Sequence, residues 1–173
     1  MIDIDTLPPL SAFPHRIPVE IRFNDIDILG HVNNTVYFSF YDTGKAWYFK
    51  DIVDWDIDWR KVETVIANVE CTYIEPLLFG EDLVVGTRCE SIHDRSFHIL
   101  QVIADARTGR IKSACRTVMV SFDPATQKSA PMPDRWRRAL ERSIALNPTE
   151  TAPAESSQTS HSSHSSHSSH NSH

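Results

Sequence analysis

The chain has 173 residues, enough for one ordinary domain and too few for two with full cores. Hydrophobic residues make up 40% and charged residues 23%, which excludes a chain disordered throughout. With 17 Lys and Arg against 23 Asp and Glu the net charge is −6, which argues against a general nucleic-acid or anionic-membrane binder.

The first stretch, 1–13, carries Asp3 and Asp5 but no basic segment, so it is not expected to act as a secretion signal. Ile17-Pro-Val-Glu-Ile-Arg-Phe23 alternates and predicts a first strand, with Pro18 marking a sheet edge or a strand start. A polar turn over 24–30 leads into His31-Val32-Asn33-Asn34, where Asn33 and Asn34 suit the N-cap of a helix. Tyr37, Phe40, Tyr41, Gly44 and Tyr48 then recur at helical spacing and form one apolar face. Val36, Phe38, Trp47 and Phe49 widen it, and a helix aromatic on so many sides belongs inside a concave sheet. The acidic, tryptophan-bearing stretch 51–60 reads as a flap beside the site.

Four β-like stretches follow, 62–74, 83–92, 97–106 and 111–122, separated by turn residues. In the first of them Val65, Ala67, Val69, Cys71 and Tyr73 share one face and Asn68, Glu70 and Thr72 the other, which predicts one-sided burial in an antiparallel sheet. Cys71, Cys89 and Cys115 are too few and too far apart for a disulfide framework or a CxxC metal site. All three sit mid-strand, so buried, inert thiols are expected, and a reduced, cytoplasmic protein with them. No apolar run approaches the roughly 18 residues of a membrane span, so no membrane partner is expected. A short basic helix over 134–145 closes the domain, 1–146. The remainder, 147–173, is a Ser/His-rich tail with little to bury and is expected to be disordered. Its histidines, His161, His164, His167, His170 and His173, suit chelation of zinc or nickel, but its composition reads as a solvated low-complexity segment and not as a catalytic site.

The stretch Arg22-Phe-Asn-Asp25-Ile-Asp27-Ile-Leu-Gly30-His31-Val32-Asn33-Asn34-Thr-Val-Tyr37 resembles the D-x-D-x-x-G-H-V-N-N-x-x-Y motif of the hotdog-fold acyl-CoA thioesterases of the 4-hydroxybenzoyl-CoA thioesterase family. A second likeness runs from Tyr73-Ile-Glu-Pro76 through Gly80-Glu-Asp82, similar to that family's hairpin between its second and third strands. Together with the element order, the resemblance covers about residues 15–123. It implies an α+β hotdog fold, a five-stranded antiparallel sheet wrapped around one long central helix, associated as a homodimer or homotetramer with sites at the interface. It further implies hydrolysis of an acyl-CoA thioester with no cofactor and no metal, and it places the family's catalytic aspartate on Asp27. The chain departs from the family later in the helix: Asp42, Gly44 and Lys45 stand where Glu, a small residue and Arg are frequent.

The residues themselves fit such chemistry. Thioester hydrolysis needs a group that attacks the carbonyl or activates water, and donors for the developing oxyanion. Asp27, in a polar loop ahead of a helix, suits either role, nucleophile or general base, and the residues leave both open. Backbone N–H groups of Val32, Asn33 and Asn34, at the positive end of the helix dipole, are candidate donors to the thioester oxygen. Gly30 leaves room for the turn and the acyl group. His31 and Asn34 are candidates for hydrogen bonds to substrate or water, and Tyr37 for the wall of an acyl pocket. The structural alternative is that Asp25 and Asp27 only cap the turn and that His31 is an ordinary loop histidine; the motif favours catalysis for Asp27 and a structural role for Asp25. The absence of GxSxG excludes an α/β-hydrolase thioesterase, and no phosphate-binding glycine loop is present. Arg88, Arg95, Arg107, Arg110, Lys112 and Arg116 are candidate contacts to coenzyme A phosphates or simple strand-face charges. The rival functions are a non-catalytic acyl-CoA-binding hotdog module and a 3-hydroxyacyl thioester dehydratase, which the motif fits poorly.

Overall fold

A computed structural model describes residues 2–53 and 63–147. The elements are β1 (His15–Val19), α1 (Asn34–Ile52), β2 (Thr64–Tyr73), β3 (Leu83–Ile92), β4 (Ser96–Asp105), β5 (Ile111–Asp123), β6 (Lys128–Ser129) and α2 (Asp134–Ala145). The five long strands are antiparallel in the order β1-β3-β4-β5-β2 and curl around α1, while the two-residue β6 pairs with the end of β5. This is the hotdog architecture. Residues 148–173 of the tail and 54–60 of the expected flap lie outside the described residues.

The helix forms where the periodicity places it. Asn33 is its N-cap, the side chain accepting from the Thr35 N–H at 2.9 Å. Tyr37, Phe40, Tyr41, Gly44, Tyr48 and Phe49 are all buried against the sheet. Phe38 and Trp47, expected to widen the buried face, are exposed instead, because the sheet curls over one side of α1 only. Gly44 sets the closeness of approach. A Cβ there would meet Val85 Cγ1 at 2.6 Å and the Gln101 amide nitrogen at 3.0 Å. Gly44→Ala should therefore destabilise the protein by about 1–3 kcal/mol through overpacking, read as a lower denaturation midpoint with unchanged m-value.

Two expectations about strands are corrected. The first strand is His15–Val19 and not 17–23, since the chain leaves β3 after Val19 and turns through a short 3-10 segment, Phe23–Asp25. Pro18 is accommodated because β1 is an edge. In β2, a bulge falls between Ile66 and Asn68, leaving Ala67 without a partner on β5. The bulge inverts the alternation, so Ile66 pairs with Met119 of the helix-side core and Val65 passes to the other face. As the other edge strand, β2 leaves Ile66, Val69 and Tyr73 partly exposed and lacks the predicted one-sided burial.

The helix-side core runs from Tyr37, Tyr41, Leu77, Val85 and Ile103 at one end of α1 to Tyr48, Phe49, Phe97, Met119 and Trp136 at the other. Helix α2 closes the second end, its Trp136 meeting Phe49 edge-on at 5.4 Å and Ser143 hydrogen-bonding Tyr48 at 2.6 Å. The opposite face of the sheet is also covered. Ile2, Leu10 and Phe13, from the segment ahead of β1, pack on Leu100, Val102, Ala104 and Ala114. Gly86 admits the Phe13 ring there, since a Cβ would lie 3.0 Å from it.

Candidate active site

The segment between β1 and α1 is tied down before any chemistry is asked of it. Asp25 is buried, and its carboxylate accepts from the Arg22 N–H at 2.8 Å and from the Arg22 guanidinium at 2.9 and 3.3 Å. Those hydrogen bonds hold its carboxyl below the ordinary aspartate range, against the opposing effect of burial. Asp25 also accepts the Asn33 N–H on its main-chain oxygen at 2.8 Å, so it fastens the loop to the helix start. Since its folded pKa is depressed, its contribution to stability is complete above the unfolded value of about 3.9 and is lost as pH falls through the folded value. Acid unfolding of Asp25→Asn should accordingly be flatter in that window than that of the parent, as followed by circular dichroism.

Asp27 heads a tight loop closed by an Ile26–Val32 bridge. Its N–H donates to the His31 carbonyl at 2.9 Å, and its carbonyl accepts from Gly30 at 3.0 Å, with Gly30 at φ +79°, a left-handed position that glycine fills without strain. One carboxylate oxygen accepts the Leu29 N–H at 2.8 Å, while the other has no partner among the described residues. Asp27 is half-buried, and the loop tip beyond it, Ile28 and Leu29, is 100% and 75% exposed.

Beside this loop a cleft of about 270 Å³ opens at the start of α1, lined by His31, Val32, Asn34, Tyr37, Tyr73, Ile74, Glu75 and Pro76. Four of the expected site residues, His31, Val32, Asn34 and Tyr37, thus share one cavity, whereas Asp27, Gly30 and Asn33 flank it without lining it. Tyr37 is buried, accepts the Leu77 N–H at 3.2 Å and meets the Tyr73 ring edge-on at 4.9 Å. Burial pushes the Tyr37 hydroxyl up from its ordinary value. The Tyr73 hydroxyl donates to the Asn34 carbonyl at 3.2 Å, joining β2 to the helix start.

The candidate oxyanion donors are fewer than expected. The Val32 N–H donates to the Leu77 carbonyl at 2.9 Å and the Asn33 N–H to Asp25, so both are already engaged. The Asn34 N–H, in the first turn of α1, has no acceptor among the described residues. Tyr73, Ile74, Glu75 and Pro76 line the cleft without belonging to the expected site, although the second motif passes directly through them. Their wall is held by Lys112, which is 3% exposed, pairs with Glu81 and reaches the Pro76 carbonyl at 3.4 Å. Other candidate phosphate contacts are also occupied: Arg116 grips Glu90 at 2.7 and 3.1 Å, and Arg110 pairs with Glu75 at 3.1 Å. Asp42 is paired with Lys45 on α1 at 2.9 Å. Among the described residues, no cluster of three or more His, Cys, Asp or Glu is placed to hold a metal ion, and no helix is long and apolar enough to cross a membrane.

Comparison with known proteins agrees with this architecture. The long-chain acyl-CoA thioesterase FadM of Escherichia coli is 22% identical over 129 residues, spanning 73% of this chain and 96% of its own length. A Thermus thermophilus thioesterase, solved with coenzyme A and zinc, superposes with a TM-score of 0.69 at 29% identity, over 78% of this chain and 96% of that one. A predicted thioesterase from Bacillus stearothermophilus gives the same TM-score at 27% identity, over 78% and 98%. Residues 21–140, from just after β1 to the middle of α2, match the Thioesterase-like superfamily. With four of the five long strands, the buried helix and the cleft at its start all inside that span, the chain belongs to the Thioesterase-like superfamily.

Proposed function

We propose that the thioester cleaved by this hydrolase is an acyl-CoA, in the manner of the 4-hydroxybenzoyl-CoA thioesterases, with Asp27 as the catalytic carboxylate. The observation that carries the reading is the cleft at the helix start, where apolar walls from Val32, Ile74 and Pro76 meet the polar groups of His31 and Asn34. An apolar cavity with a few convergent polar groups is the usual form of a small-molecule site. FadM's acyl-CoA activity and the coenzyme A in the Thermus structure support the same substrate class.

In the mechanism, the unpartnered oxygen of Asp27 takes a proton from water, and the resulting hydroxide adds to the thioester carbon. Alternatively, the carboxylate adds directly and forms a mixed anhydride that water then opens. In both routes the tetrahedral oxyanion is met by the Asn34 N–H at the helix start and collapses by expelling the coenzyme A thiolate. A thiolate is a good leaving group, since thiol pKa values lie near 8.5, so the expelled sulfur needs little help from an acid.

Asp27 flanks the cleft instead of lining it, and this fits a site completed in a homodimer or homotetramer. Phe23, Ile28, Leu29, Leu78 and Phe79 are exposed by 82%, 100%, 75%, 43% and 62%, large apolar side chains that a second copy would cover. The test is thiol release from short, medium, long and aromatic acyl-CoAs, with sedimentation to give the assembly. Turnover of one acyl class supports the reading, while binding without release of thiol moves the chain to the acyl-CoA-binding modules.

A further inference from the structure

Cys71 of β2 and Cys115 of β5 are direct partners across the two strands. Opposed residues of an antiparallel pair project from the same face of the sheet, with Cα atoms about 4.5–5.5 Å apart, inside the range that a disulfide spans. Here that face looks toward the helix, where Cys115 belongs to the core around Tyr37 and Tyr41 and Cys71 packs against it. The two thiols differ in surroundings. Cys115 is 1% exposed, whereas Cys71 is half-buried, on the edge strand.

A polar group accompanies the pair inside this apolar core. Ser113 Oγ lies 3.7 Å from the Cys71 sulfur, accepts the Tyr41 hydroxyl at 2.7 Å and donates to the Thr72 carbonyl at 3.0 Å. The facing Cys115 thiol is the largest influence on Cys71, pushing the Cys71 thiol down to about 7 while it is itself held protonated. Cys89, by contrast, is buried, and burial pushes its thiol up to about 12. The burial expected of all three thiols is complete for Cys89 and Cys115 and only partial for Cys71.

We propose that Cys71 and Cys115 form an oxidant-responsive modification site, in which a hydroperoxide oxidises Cys71 and Cys115 resolves the product to a cross-strand disulfide. The Cys71 thiolate attacks the peroxide oxygen, the O–O bond breaks, and a sulfenic acid and hydroxide result. Cys115 then attacks the sulfenic sulfur, and the S–O bond breaks as the disulfide forms. The hydroxide and the sulfenic oxygen leave as water, taking up the protons of the two thiols. The thiols lose two electrons in all and the peroxide gains them. Nothing in the step depends on which thioester the protein cleaves.

The test uses the full chain in its native state. At about pH 7.5, brief exposure to iodoacetamide followed by peptide mass mapping should find Cys71 alkylated at least about 10-fold faster than Cys89. Stoichiometric hydrogen peroxide should remove two of the three thiols. It should link Cys71 to Cys115 within one chain, and dithiothreitol should reverse the link. Cys115→Ala should instead accumulate a Cys71 sulfenic acid that dimedone traps. Equal alkylation of Cys71 and Cys89, a disulfide between two chains, or oxidation at Cys89 would each overturn the proposal. The wild-type mapping alone decides these outcomes if the variant does not fold.

Discussion

Asp27→Asn should lower kcat/KM for the best acyl-CoA by about 100-fold or more, the usual worth of a positioned acid or base. The substitution is a clean one at this position. The asparagine side-chain oxygen can still accept the Leu29 N–H, so the loop that Asp27 heads should keep its geometry. What is lost is the charge on the second oxygen, the one that attacks or deprotonates. The thermal midpoint should stay near that of the parent, and substrate affinity should change little, so that the loss falls on kcat. Near-parental turnover in Asp27→Asn would move the chemistry to another group, His31 first among them.

The second large effect is expected on stability, at Glu81→Gln. Lys112 is buried, and Glu81 is its carboxylate partner. Glu81 also accepts the Leu78 N–H at 3.0 Å, and the Lys112 carbonyl receives the Ile74 and Glu75 N–H groups, each at 2.9 Å. Removing the negative charge leaves an ammonium in a poorly solvated place, which costs about 3 kcal/mol, or a fall of about 10 °C in Tm for a domain of this size. The double variant Glu81→Gln with Lys112→Met should recover most of that loss, because it removes the stranded charge as well. If the double variant is no more stable than Glu81→Gln alone, then the pair contributes through its contacts to the 74–78 wall and not through charge compensation.

How far the sequence anticipates these features depends on how local their causes are. The central helix was legible because its signals lie within one stretch: the Asn33 cap, then Tyr37, Phe40, Tyr41, Gly44 and Tyr48 on one face. The motif around Asp27 was legible for the same reason. The engagement of the Val32 N–H was not, since its acceptor, the Leu77 carbonyl, arrives from the connection between β2 and β3. The role of Tyr73 as a cleft wall has the same origin, because only the pairing of β2 with β5 brings it beside Asn34. The bulge at Ala67 leaves no mark in residue type at all, and one extra residue sufficed to shift Val65 to the wrong face of the prediction. The exposure of Phe38 and Trp47 is likewise set by the reach of the curled sheet, which periodicity does not encode.

The residues ahead of β1 show no periodic pattern, yet Ile2, Leu10 and Phe13 roof the outer face of β4 and β5. That roof lies upstream of residue 21, where the superfamily match begins. A chain begun at His15 would keep β1, the helix, the cleft and Asp27 while baring Leu100, Val102, Ala104 and Ala114 as one greasy plane on the back of the sheet. Such a plane is the kind of surface through which proteins clump. The shortened chain should therefore fail by precipitation at working concentrations and not by loss of catalytic competence, which makes the first dozen residues a determinant of solubility that the family boundary leaves out.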